Sequence, residues 1–340
     1  MQRALISGTG LIGTSIALGL QDLGWETLGW DPNPDALDGA ARTGAVVPIG
    51  SLDSVLLRTD DLLVLAAPPS AVRSTLSELE TAALVIDVAS VKAPIIEVVR
   101  TERFVGTHPM AGREVTGPDA ARPGLFRGAT WVVVPDGADE SDVLAVESIV
   151  VGLGARPIRM GAAEHDAAVA RISHLPQIVA AALLDGAGEV PGAMELAAGS
   201  FRDLTRVAAS DPAIWMDILT VNRREVMNAV EALRARLAAL AASDADLRVM
   251  LAQARRLRAS LGPELAVVRV ALEDRPGEMA AVGHALAECG ADLRDLQLRH
   301  APYGGGGILT LSVRAGEENV LRAALAAEGL SAVVPLVESD

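Results

Sequence analysis

The chain has 340 residues, half of them hydrophobic, and a formal net charge of −15, which predicts two or three domains and excludes a nucleic-acid partner, since a phosphate backbone has to be met by a basic surface. One cysteine, Cys289, excludes a disulfide framework and a Cys-based metal site. Charges or glycines interrupt every apolar run short of the ~20 residues that span a bilayer, and the first strand follows no basic leader, so a cytoplasmic protein is expected.

Residues 1–160 alternate apolar runs with helical patterns. Strands are predicted at 2–7, 26–30, 62–67, 83–88, 103–107 and 129–135. The helices between them imply right-handed crossovers and a mostly parallel, doubly wound α/β sheet of Rossmann type. The first strand runs into Gly8-Thr9-Gly10-Leu11-Ile12-Gly13, and a helix opens there. Gly8 permits a tight turn, Gly10 lets backbone approach a pyrophosphate, and Gly13 lets the helix pack close to the strand. N–H groups at the helix start, around Leu11 and Ile12, face the phosphates with the positive end of the helix dipole. Asp31 follows Gly13 by eighteen residues, at the tip of the second strand. Its carboxylate suits a ribose 2′-OH and repels a 2′-phosphate, and no Arg or Lys follows before Arg42, which selects NAD over NADP.

Two further strand ends carry chemistry. After the third comes Ala67-Pro68-Pro69-Ser70, a loop stiffened by two prolines that suits a rigid wall beside a nicotinamide and places Ala67 and Pro68 at the cofactor. After the fourth comes Asp87-Val88-Ala89-Ser90-Val91-Lys92, whose last residue is the one lysine of the chain. The fifth leads into Gly106-Thr107-His108-Pro109-Met110-Ala111-Gly112-Arg113-Glu114. A histidine at the carboxyl end of a strand, beside a dinucleotide motif, is the candidate proton acceptor.

From 161 to 262 strand signals vanish. Helical periodicity marks 163–187, 191–199, 211–237 and 243–261, an all-helical segment whose Ala-rich helices suit pairing with a second copy. It contains Ser173-His174-Leu175-Pro176-Gln177, Ser200-Phe201-Arg202-Asp203-Leu204-Thr205-Arg206, Asp211-Pro212 and Trp215. Arg202 and Arg206, four apart, fall on one helix face and suit a dianionic carboxylate substrate; a solvated basic face tempered by Asp203 and Asp211 is the alternative.

Residues 263–340 read as a third unit: a strand (265–272), Asp274-Arg275-Pro276-Gly277, a helix (278–289), a strand (293–300), Gly304–Gly307, a strand (308–314), a helix (317–328) and a strand (331–336). This is a βαββαβ pattern. The glycine run reads as a hairpin loop, since no helix follows it. His284 and His300 have no partners at metal spacing and read as structural; no metal is expected.

Gly8-x-Gly10-Leu11-Ile12-Gly13-x-Ser15, Asp87-x-x-Ser90-x-Lys92, Gly106-x-His108-Pro-Met-Ala-Gly112-x-Glu114, Ser173-His174-Leu-Pro176 and Asp203-x-Thr205-Arg206 with Trp215 together resemble the prephenate/arogenate dehydrogenase family of tyrosine biosynthesis. The resemblance covers residues 1 to about 260. It implies an NAD-dependent oxidative decarboxylation of a cyclohexadienyl acid, prephenate or arogenate. In it neutral His108 takes the proton of the ring hydroxyl, and Ser90, also at the cofactor, orients that hydroxyl or His108. Arg206 would pair with a substrate carboxylate, with Arg202, His174, Gln177, Glu114 and Trp215 around the substrate. Lys92 would steady the Ser90 loop. Gln177 stands where some relatives carry a second histidine. The last unit looks like an ACT domain, an amino-acid-sensing module for which tyrosine is the candidate effector. Another Rossmann oxidoreductase with a helical dimer domain and a non-catalytic NAD sensor are the competing readings.

Overall fold

The computed structural model describes residues 2–52, 55–111, 117–259, 265–300, 306–314 and 316–333. Its chain divides into two compact units, Met1–Arg236 and Leu237–Asp340.

The first unit opens with β1 (Arg3–Ser7), α1 (Leu11–Asp22), β2 (Glu26–Trp30), α2 (Pro34–Arg42) and β3 (Val47–Pro48). It continues with β4 (Leu62–Leu65), α3 (Pro69–Glu78), β5 (Leu84–Asp87), α4 (Ala93–Ile96), β6 (Phe104–Pro109), β7 (Thr130–Val134), α5 (Glu140–Gly152) and β8 (Arg156–Arg159). The eight strands form one sheet in the order β3-β2-β1-β4-β5-β6-β7-β8. Every pairing is parallel except β6 with β7. The described part of the β6–β7 connection holds only a short 3₁₀ turn at Pro118–Ala120, and without a crossover helix the chain returns antiparallel. The alternation of side chains along each strand loads both faces. Ala4, Ile6, Val64 and Ile86 pack on Ile16 and Leu20 of α1 and on Val143 and Val146 of α5. Leu5, Leu63, Leu65 and Val85 pack on Val72 and Leu76 of α3. Central strands buried on both sides read as unbroken apolar runs, which is why Leu62–Leu65 was visible in the sequence. β8, with a half-exposed Arg-Pro-Ile-Arg pattern, and two-residue β3 carry no such signal.

Where β1 meets α1 the glycines have distinct steric reasons. Gly8 has φ +98°, and a Cβ there would lie 2.3 Å from the Ala66 carbonyl oxygen. A Cβ on Gly13 would lie 1.9 Å from the Gly8 carbonyl oxygen. A Cβ on Gly10 would meet no protein atom within 4 Å.

Helices follow the sheet: α6 (Ala162–Val169), a π-helical turn (Ala170–His174), α7 (Leu175–Gly188), α8 (Gly199–Thr205), α9 (Pro212–Val221) and α10 (Arg223–Ala242). The first three make one run, Ala162–Gly188, long and apolar enough by length and composition to cross a membrane, with Asp166, Arg171 and Asp185 interrupting its apolar residues as expected. Its first turns carry Glu164, His165 and Asp166, and the last two are buried against the protein. The helix expected at 191–199 is absent: Pro191-Gly192 breaks it, leaving a 3₁₀ turn at Met194–Leu196 before α8. The helix expected across 211–237 is interrupted at Asn222, whose side chain turns inward.

The second unit holds α11 (Asp244–Ala259), β9 (Leu265–Leu272), α12 (Glu278–Cys289), β10 (Leu293–His300), β11 (Gly307–Arg314), α13 (Glu318–Ala327) and β12 (Ala332–Val333). After α11 the order is βαββαβ, as read from the sequence. Its strands form an antiparallel sheet, β10-β11-β9-β12. One face packs Val268, Val270, Leu309 and Leu311 against Val282, Ala285, Leu321 and Leu325 of the two helices. The end of the last predicted strand (334–336) and Gly304 and Gly305 lie outside the described residues.

Gly13→Ala forces backbone apart at the α1 start. A loss of about 1–3 kcal/mol is expected, measured by thermal or urea unfolding; an unchanged unfolding curve would refute the close approach.

Candidate active site

The carboxyl ends of β1, β4, β5 and β6 open on one cleft of about 500 Å³. On one side lie Gly10, Leu11 and Ile12 with Ala67 and Pro68; on the other lie Ser90, His108, Ser173 and Trp215. The α1 N-terminus has Gly10 as its cap residue with no side-chain cap. The first helical bond runs from Thr14 N–H to the Gly10 carbonyl (3.0 Å), so the N–H groups before it keep no intrahelical partner. Open space at Gly10 and an uncapped twelve-residue helix fit a pyrophosphate. Above the turn, Asp31 accepts from Thr9 N–H (Oδ2, 2.7 Å) and Asn33 N–H (Oδ1, 2.9 Å). These bonds hold the carboxylate at the β2 tip, where a ribose hydroxyl would reach it. Gly8 and Gly13 shape the turn from beneath rather than lining the cleft.

His108 is the one titratable side chain among the described residues lining the cleft. Its Nδ1 lies 2.9 Å from Nε2 of His165, which leaves Nε2 of His108 as the nitrogen available to a ligand. His165 Nδ1 lies 2.8 Å from Asp166 Oδ1. Asp166 also accepts the N–H groups of Lys92 (Oδ1, 2.8 Å) and Ala93 (Oδ2, 2.8 Å). Burial, then the neighbouring His165, Lys92 and His174, hold the His108 pKa well below that of an ordinary histidine. Its ring is therefore neutral, and able to accept a proton, at neutral pH.

Beneath this group the chain's one lysine forms a fully buried ion pair with Asp87. Asp87 also accepts Ala89 N–H (Oδ2, 3.1 Å) and Thr107 N–H (Oδ1, 3.1 Å). A Cβ on Gly106 would lie 3.4 Å from Lys92 Cδ, so the lysine stem packs along β6. Burial pulls Lys92 down and Asp87 up, and each draws the other back toward its charged form. Lys92 thus ties the Ser90 loop to β5 and β6 through Asp87. The nitrogen of His108 that faces the protein is held by His165, not by Ser90.

The remaining predicted residues are not all gathered here. His174 is buried, with Nδ1 3.2 Å from the Asn222 amide, and meets Trp215 edge-on at 6.2 Å between ring centroids. Gln177 is buried without lining the cleft, and its Oε1 has no hydrogen-bond partner. Arg202 lies on α8, which ends at Thr205, and Arg206 caps it with helical backbone and starts a 3₁₀ turn. Arg202 Nε donates to the Ala197 carbonyl at 3.1 Å. Both arginines are exposed and neither lines the described cleft. Glu114 lies outside the described residues. Sequence reasoning passed over His165, Asp166, Ser173 and Asn222 as site residues. His165-Asp166, an adjacent pair of polar residues at the start of an apolar helix, was the available signal.

The strand order, the uncapped helix beneath an acidic β2 tip and a neutral imidazole facing the cleft define a dinucleotide-dependent dehydrogenase. Residues 16–159 match the prephenate dehydrogenase nucleotide-binding domain, and residues 161–246 match the prephenate dehydrogenase dimerization domain. A prephenate dehydrogenase of Lactococcus lactis is 32% identical, over 68% of this chain and 68% of its own. A probable prephenate dehydrogenase of Streptomyces niveus is 31% identical, over 94% and 97%. The crystal structure of prephenate dehydrogenase from A. aeolicus, in complex with hydroxyphenyl propionate and NAD+, superposes with a TM-score of 0.69 at 29% identity, covering 77% of this chain and 99% of that one. The chain belongs to the prephenate dehydrogenase family.

His174 titrates at about 4 in the folded protein, mainly because it is buried. Unfolded, a histidine titrates near 6.5, so below that pH the unfolded chain takes up a proton that the fold refuses. Stability should fall from about pH 6.5 downward, by roughly 3 kcal/mol for this residue at pH 4. His108 adds to the same slope. Urea unfolding between pH 7 and 4 measures it, and a slope unchanged in His174→Gln would refute the assignment.

Proposed function

We propose that this protein carries out the NAD-dependent oxidative decarboxylation of prephenate, yielding 4-hydroxyphenylpyruvate for tyrosine biosynthesis. The observation that carries this reading is His108: a neutral imidazole whose Nε2 is left for a ligand, in the same cleft as the glycine turn. Family membership and the domain matches support it.

The glycine turn, the α1 N-terminus and Asp31 would hold the dinucleotide, with Ala67 and Pro68 beside its nicotinamide. Bound NAD+ supplies the acceptor for the hydride of the ring carbon that carries the hydroxyl. His108 Nε2 accepts the proton of that hydroxyl, so a carbonyl can form and the ring carboxylate can leave as CO2. Ser90, in the same cleft, orients the hydroxyl. Trp215 and its apolar neighbours Ile214 and Ile218 cover the ring and exclude water. The substrate's carboxylates need cations that the described lining lacks. Arg206 and Arg202 are assigned that role, with His174, Gln177 and Glu114 in the surrounding shell. No metal takes part in this scheme.

The helical segment supports a homodimer. Its matched domain is a dimerization domain, and its helices expose Ile172, Leu204 and Met216. We assign residues 1–160 to cofactor binding, 161–262 to substrate binding and dimerisation, and 263–340 to an ACT-like regulatory module, with tyrosine as the effector and the cytoplasm as the compartment. The βαββαβ order of the second unit supports the module.

Prephenate with NAD+ should produce absorbance at the NADH band. Arogenate run in parallel sets the preference, and no turnover of either would end the proposal. His108→Asn should lower kcat by roughly 10²–10⁴-fold with little change in KM; near-full turnover would show that another group is the base. Asp31→Ser paired with Asn33→Arg should weaken the preference for NAD over NADP, read from the two kcat/KM values. Undiminished discrimination would remove Asp31 from that role.

A further inference from the structure

We infer that His165 is a positioning residue, which sets the tautomer of His108 so that its cleft-facing nitrogen is the basic one. The inference deepens the proposed function and rests on the reading of His108 as the base.

With both rings neutral, the chain of hydrogen bonds runs in one direction. Asp166 accepts a backbone N–H on each of its oxygens, from Lys92 on Oδ1 and from Ala93 on Oδ2. An ionised carboxylate has no proton to give, so at the 2.8 Å contact with His165 Nδ1 the imidazole donates. Neutral His165 then carries its single proton on Nδ1, and its Nε2 is a bare lone pair. That lone pair faces His108 Nδ1 at 2.9 Å, so His108 must donate there. Neutral His108 is left with its proton on Nδ1 and a bare Nε2 toward the cleft. The opposite tautomer would set two lone pairs against each other and turn an N–H toward the substrate hydroxyl.

The surroundings make this arrangement binding. His165 and Asp166 are 1% and 2% exposed, so bulk water cannot substitute for either partner. The rings of His108 and His165 meet edge-on, at 77° with centroids 5.1 Å apart, which aligns the Nδ1–H with the neighbouring lone pair. Among the described residues, the charged or titratable groups around His108 are His165 on α6, Lys92 with its partner Asp87 at the end of β5, His174 in the π turn and Asp166 behind His165. None of the others is hydrogen-bonded to the His108 ring. When the hydroxyl O–H breaks and the Nε2–H bond forms, His108 carries the added proton while its Nδ1–H still donates to His165. The proton returns to solvent once the product has left.

The test reads the tautomer and the turnover separately. In full-length protein with ¹⁵N-labelled histidine and NAD+ bound, nitrogen chemical shifts should show His108 protonated on Nδ1. Finding the Nε2–H form would overturn the proposal without reference to any variant. His165→Phe removes the acceptor that holds both the Nδ1–H tautomer and the orientation of the His108 ring, so the productive form becomes rare. Its kcat should fall by roughly 10²–10⁴-fold, the range seen when a histidine base loses its orienting partner, with KM for NAD unchanged. His165→Gln puts an amide oxygen near the lost Nε2 and should recover most of that loss. Wild-type kcat in a folded His165→Phe protein, or a folded His165→Gln protein as slow as the Phe variant, would overturn the positioning role. His108→Asn separates the two readings. If it is inactive while His165→Phe is not, only the role of His165 falls; if it is fully active, the assignment of the base falls first.

Discussion

The carboxylate of Asp166 is the point on which the cleft beneath the strand ends depends. It stands on the first helix after the sheet, yet its partners are the backbone N–H groups of Lys92 and Ala93, at the loop after β5, and the ring of its neighbour His165. A buried carboxylate is stable only when its lone pairs are met, so the helical segment is held at one register against the sheet. The same interaction passes from His165 to His108, at the end of β6. The loop after β5, His108 and the helical segment are therefore tied together through one side chain, and the backbone carbonyl of that residue adds Asn222 at the start of α10 (3.0 Å).

Charge is handled in the same economical way. A site that must accept a proton beside a dinucleotide needs a base that is neutral beforehand. Burial supplies that, and the ammonium of Lys92 reinforces it, while Asp87 keeps the ammonium itself tolerable inside the fold. Breaking such a pair from one side leaves an unmatched buried charge, which costs far more than the pair contributes. The lone lysine in a chain otherwise rich in arginine thus has an electrostatic partner that fixes its place.

Binding and catalysis share this frame but use different parts of it. The glycine turn and α1 offer backbone donors whose spacing is set by close packing under Gly8 and Gly13. The base is offered by side chains whose orientation is set by hydrogen bonds. The π-helical turn between α6 and α7 brings Ser173 to the cleft and leaves His174 buried against Asn222 and Trp215, an insertion of the sort often found at functional positions in helices.

Much of this was legible in the residues themselves. Period-two and continuous apolar runs located the central strands, because those strands are buried on both faces. Gly8, Gly10, Gly13 and Asp31 marked the cofactor edge, because each meets a local steric or hydrogen-bonding demand that only a few residue types satisfy. His108 stood out because it ends a buried strand. What stayed hidden depends on contacts between residues far apart in the chain. The partner of His108 lies 57 residues away, and neither periodicity nor spacing encodes that distance. The inward turn of Asn222, the end of α8 before Arg206 and the antiparallel return of β7 are likewise set by packing. Local sequence decided which elements form and what chemistry each strand end can offer; only the tertiary structure decided which nitrogen of His108 faces the cleft, because the other is taken by a ring remote in the chain.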